Sequence, residues 1–221
     1  MKKNAAILLC TGAAAVGLLV GCGEISRFIP GKGSPAAGSA ENVTTDQAVG
    51  TGPFGWLPED MPQILSETEP DRMIRDAVAE YFEIPREEWE DVRYYYNFTD
   101  LDDDGTDEIF ALAVGSYVSG SGGSSALILK NDGTVVQSLT TVNAPVVVSD
   151  EMTNGYHNLV VERSGGGADT EAVVLRASED GVYENVPDSQ ETADLSTLTG
   201  EALLCDDMTF DDTADYLTLA D

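Results

Sequence analysis

The sequence predicts an α+β domain, mainly β: an antiparallel sheet of about seven to eight strands with an N-terminal helix packed on one face. Helical periodicity occurs only early in the folded part, near residues 68–85. From Val92 onward the apolar spacing changes to two, or to short apolar runs bounded by Gly, Asn and Asp. No repeat of 20 to 50 residues is visible, which argues against a solenoid or a complete propeller.

The elements follow in chain order. Thr68, then Glu69, Pro70 and Asp71, reads as a capped helix start with acids in the first turn. Met73, Ile74, Ala77, Val78, Tyr81 and Phe82 recur at helical spacing, and Pro85 closes the helix. A short second turn is expected over 86–90. Val92, Tyr94, Tyr96 and Phe98 then alternate with Arg93, Tyr95 and Asn97. Further strands are expected over 108–118, 125–130, 134–142, 145–149, 158–163, 170–177 and 201–205. Turn signals such as Asn131-Asp132-Gly133 and Asp180-Gly181 separate them.

The first residues carry an export signal. Lys2 and Lys3 precede an apolar, uncharged run from Ala5 to Val20. At about 16 residues the run is short for a membrane span and fits the apolar region of a signal peptide. It ends in Leu19-Val20-Gly21-Cys22, which resembles the lipobox of bacterial lipoprotein precursors. The resemblance implies cleavage after Gly21, diacylation of the Cys22 thiol and acylation of the new amino terminus. Acyl chains anchor stably when two or more are present.

The chain then divides into a signal peptide (1–21), a lipidated cysteine with a Gly/Ser/Ala/Pro tether (22–52) and one domain (53–221). The tether has too little apolar surface to form a core. This organisation places the domain in the cell envelope, outside the cytoplasm, with the membrane contacted through the lipid alone.

Forty Asp and Glu residues against 11 Lys and Arg give a formal charge of −29. Such a surface argues against nucleic acid, whose binders need basic patches, and against lying flat on anionic lipid. Cations or basic partners are its natural company, or the charge serves solubility alone. Of three cysteines, Cys10 leaves with the signal and Cys22 is lipidated. Cys205 alone remains, within an apolar stretch, and reads as a buried small hydrophobe.

One loop carries chemistry: Asp100-Leu-Asp102-Asp-Asp104-Gly105-Thr106-Asp107-Glu108, followed by an apolar run. Oxygen donors at its first, third and fifth positions can converge on a hard cation. A glycine at the sixth permits a sharp turn, and a backbone carbonyl commonly serves at the seventh. Calcium suits this set because it accepts six to eight oxygens without strict geometry. An EF-hand would need an acid at the twelfth position, where Ala111 stands.

The loop instead resembles the calcium loops of FG-GAP and VCBS-type β proteins, in which a carboxylate at the ninth position closes the site and a strand follows at once. By matching positions, that resemblance implies side-chain ligands from Asp100, Asp102, Asp104 and Glu108 and the carbonyl of Thr106, with Asp103 and Asp107 turned to solvent. The alternative reading is an acidic turn in a very acidic protein. The loop together with Gly120-Ser-Gly-Gly-Ser124 and Gly165-Gly-Gly167 is also similar to a pattern in uncharacterised bacterial lipoproteins, covering residues 92 to 186.

A catalytic constellation is not recognisable. His157 is the single histidine and reads as a surface or strand-edge residue after the turn at Asn154-Gly155. No Gly-x-Ser-x-Gly elbow is present. The reading is therefore a non-enzymatic, membrane-anchored binding module with a structural calcium loop, for a protein or glycan ligand; Tyr95 and Trp56 either contact that ligand or, the favoured reading, pack against the sheet or helix. A passive envelope component and a carboxylate-dependent glycan hydrolase are the alternatives.

Overall fold

The computed structural model describes residues 54–165, 167–209 and 216–221. The expected signal peptide, lipidated Cys22 and tether lie outside the described residues.

Among the described residues the first element is an α-helix, α1 (Arg72–Tyr81). Its cap is Asp71 rather than the expected Thr68: the Asp71 carboxylate accepts hydrogen bonds from the Met73 and Ile74 N–H groups at 2.8 and 3.1 Å. Pro70 explains the shift, because the residue before a proline is pushed out of the helical region. The 3₁₀ turn Arg86–Glu88 follows.

Eight strands come next: β1 (Arg93–Thr99), β2 (Glu108–Val114), β3 (Ser124–Leu129), β4 (Val135–Val142), β5 (Val146–Thr153), β6 (Tyr156–Gly165), β7 (Ala168–Leu175) and β8 (Gly200–Leu203). The expected strand over 108–118 stops at Val114. At Gly115 the backbone passes so close to Asp91 that a Cβ would sit 2.6 Å from its carbonyl oxygen.

The expectation of one continuous sheet is corrected. The strands form two four-stranded antiparallel sheets, in the orders β1-β2-β3-β4 and β7-β6-β5-β8. The reason lies in the central strands. Five consecutive residues of β2 are buried, as are the Val146–Val148 and Leu159–Val161 stretches, so both faces of each sheet need cover. One face of each sheet meets the other sheet: Phe110, Leu112 and Ile128 share a core with Val146, Leu159 and Val173. The far face of the first sheet buries Tyr94, Ile109 and Leu127 under Ile74 and Val78 of α1. The far face of the second buries Val147, Val160 and Val174 under Leu57 and Met61.

Each sheet edge is contacted by a segment from outside the sheet, which blunts the hazard of unpaired strands. Leu217 and Leu219 bond along β1, through Tyr94 N to Leu217 O and Leu219 N to Val92 O. Gln137 on β4 exchanges two 2.7 Å hydrogen bonds with the Tyr183 backbone. Glu191 and Ala193 pair with β7, and residues 62–64 with β8. Asn97 links three segments, donating to Leu65 O at 2.8 Å and accepting from Leu204 N at 3.0 Å.

Of the two expectations for Tyr95, ligand contact and packing, the structure bears out packing: the side chain is 4 % exposed within the inter-sheet core. Its strand is covered on both faces, so alternation no longer sorts inside from outside. Trp56 is partly buried against the far face of the second sheet. Cys205 is buried as expected, and burial pushes its thiol up to about 11.

Candidate metal centre

The acidic loop is the connection of the β1–β2 hairpin, closed by pairing of Thr99 with Glu108. Its fold follows from its spacing. The Asp100 carboxylate accepts hydrogen bonds from the N–H groups of Asp102, Asp104 and Gly105 at 3.4, 3.2 and 2.8 Å. Asp104 accepts from Thr106 N at 2.7 Å. Asp103 and Gly105 both adopt positive φ, at 58° and 84°. The glycine at the sixth position is thus where the turn needs it. Glu108 begins β2 and reaches back to accept from Leu101 N at 3.0 Å.

This winding brings Asp100, Asp102 and Glu108 together, with one carboxylate oxygen from each within 4.8 Å of the others. All three are half-buried, and the triad could hold a metal ion. Asp104 is exposed and lies outside it. Asp102, Asp104, Thr106 and Glu108 all border a cavity of about 470 Å³ floored by Leu101, Ile128 and Tyr183.

Burial and mutual charge act on the carboxylates of the cluster. Burial raises the pKa of Glu108, and the charges of Asp102, Asp100 and Asp104 add to the rise against the Leu101 hydrogen bond. Desolvation acts in the same sense on Asp100, but the backbone N–H groups of the loop outweigh it and hold its pKa below the ordinary value. Two members of one triad are therefore shifted in opposite directions.

The loop also joins the sheets. Leu101 is 2 % exposed in the inter-sheet core. Its carbonyl accepts from the backbone N–H of His157 on β6 at 2.9 Å. The His157 ring stands 2.7 Å from Ser149 O through Nδ1 and 3.2 Å from Asp103 through Nε2. His157, expected at the surface or a strand edge, is half-buried near the start of β6. Burial lowers its pKa, but the bonds to Asp103 and Ser149 outweigh this and raise it. Asp103 is exposed yet meets this ring instead of facing solvent alone. No spacing along the chain announces a pair 54 residues apart.

Cys205 and His157 keep separate company: the thiol lies over the far face of the second sheet, and the imidazole beside the loop. Nothing in the described structure shows a catalytic activity. Among the described residues no helix is long and apolar enough to cross a membrane. The chain matches no protein family, no curated protein and no solved structure.

Proposed function

We propose that the chain is a lipid-anchored binding module held outside the cytoplasm, whose domain is clamped by calcium at the β1–β2 loop. The observation that carries the clamp is the convergence of Asp100, Asp102 and Glu108 on a loop whose Leu101 is wedged between the sheets. A cation there neutralises three crowded carboxylates and holds the hairpin against β6. Oxygen-only donors of this number and charge favour calcium over softer metals. The Cys22 thiol and its preceding apolar run support the anchor, and the acidic surface supports cationic or basic partners.

The test is thermal melting of the purified chain in chelator and across a calcium titration, with Asp102→Ala plus Asp104→Ala as control. Extracellular calcium modules have dissociation constants of about 0.1–1 mM, so about 2 mM calcium stabilises by up to roughly 1.8 kcal/mol. A midpoint unchanged up to about 10 mM calcium would sink the clamp. Fatty-acid labelling that survives Cys22→Ala would sink the anchor.

A further inference from the structure

Each ring nitrogen of His157 faces a group that can only accept. Nδ1 stands 2.7 Å from the Ser149 carbonyl oxygen, and Nε2 stands 3.2 Å from the Asp103 carboxylate. A neutral imidazole carries one N–H, so both hydrogen bonds exist together only in the imidazolium. A single proton thus joins two parts of the fold: Asp103 sits in the loop between β1 and β2, and Ser149 in β5 of the second sheet.

On losing that proton the ring keeps one bond and gives up the other, and the surroundings decide which. Ser149 is 3 % exposed, so water does not readily replace the bond to its carbonyl. The Asp103 side chain is 68 % exposed and can turn to solvent. The neutral ring therefore keeps its N–H on Nδ1 and presents the Nε2 lone pair to a carboxylate, which repels it. Other charges press the same way. Asp100 of the loop, Asp150 of β5 and Glu201 of β8 border one cleft with the ring, and no Lys or Arg does. Tyr183 donates its O–H to the His157 backbone carbonyl rather than to the ring. Burial acts to neutralise the ring, and the bonds to Asp103 and Ser149 with the charges of Asp103 and Asp150 overcome it. The protonated ring is the one cation among these carboxylates.

The base of the loop does not depend on the proton. The backbone N–H of His157 donates to Leu101 O, and the Leu101 side chain is held in the inter-sheet core. Leu101 and Asp103, the two residues through which the loop bonds His157, stand outside the carboxylate triad.

We infer that His157 is a proton-operated latch: charged, it holds the tip of the acidic loop on the second sheet through Asp103, and neutral, it frees the tip while Leu101 keeps the base in place. The latch goes beyond the calcium clamp and does not rest on it.

The test is nuclear magnetic resonance of the purified chain in chelator across about pH 5 to 9. The chain has one histidine, so a single imidazole is followed. Its midpoint lies above the ordinary histidine value, and its neutral form carries the proton on Nδ1. The backbone amides of residues 102–106 share that midpoint, and their order parameters fall from about 0.85 to below about 0.6 as pH rises. The Leu101 and His157 amides stay rigid throughout. Asp103→Asn supplies a group that accepts from the charged ring and donates to the neutral one, so the midpoint falls and the tip stays ordered at every pH. A midpoint at or below the ordinary value, a neutral ring protonated on Nε2, or a tip equally ordered on both sides of the midpoint overturns the latch. So does an Asp103→Asn chain that titrates like the parent. With calcium absent, none of these results bears on the clamp, and a melt that ignores calcium leaves the latch standing.

Discussion

Replacing Leu101 by alanine tests whether the acidic loop is wedged between the sheets or merely lies over them. The side chain is 2 % exposed in the inter-sheet core, so the substitution removes about three buried carbons, worth roughly 0.8 kcal/mol each in transfer free energy. A sealed cavity would add to this, and buried leucine-to-alanine changes reach about 5 kcal/mol. Leu101 also borders the open cavity beside the loop, so water can follow the deleted atoms and the added penalty is small. The expected loss is about 3 kcal/mol, or roughly 6–12 °C in the melting midpoint for a domain of this size. Alanine keeps the backbone bonds to Glu108 and His157, so the loss should be the same in chelator and in calcium. Urea denaturation in both conditions measures it, with an unchanged slope as the check on two-state behaviour. A loss under about 1 kcal/mol would refute the wedge.

Other outcomes follow from the same geometry. Glu108 has a folded pKa raised above its unfolded value, so its contribution to stability is present at low pH and lost as pH rises through the folded value. Glu108→Gln, which keeps an acceptor for Leu101 N, should therefore melt at or above the parent in chelator at neutral pH. It should also lose the calcium-dependent rise, and differential scanning calorimetry checks both. The raised pKa of His157 means that its bonds to Asp103 and Ser149 stabilise the protonated form. That stability is present below the ordinary histidine value and fades as pH rises through the folded one. Denaturation of His157→Gln across pH 5 to 8 in chelator should show a flatter profile than the parent. Asp71→Ala should cost about 1 kcal/mol and Thr68→Ala much less, a contrast that chemical denaturation of both variants resolves.

The local features were legible in the sequence because their causes are local. Helical spacing from Met73 to Phe82 marked the helix. The offsets of Asp100, Asp102, Gly105 and Glu108 marked the loop, and its winding requires those residues at those positions. The apolar stretch around Cys205 marked a buried thiol.

Other features were decided by contacts between distant segments. A strand's apolar run does not say whether its second face meets a helix or another sheet. The division into two sheets, and with it the burial of Tyr95, therefore emerges only when β5 to β8 pack over β1 to β4. The partnership of His157 with Asp103 spans 54 residues and depends on β6 lying under the loop. Among the described residues the Asn158 side-chain oxygen is buried without a hydrogen-bond partner, and a polar residue in a strand gives no local sign of what its neighbours will supply. Short-range hydrogen bonding and side-chain periodicity are written along the chain, whereas burial and long-range polar pairing are properties of the packed whole.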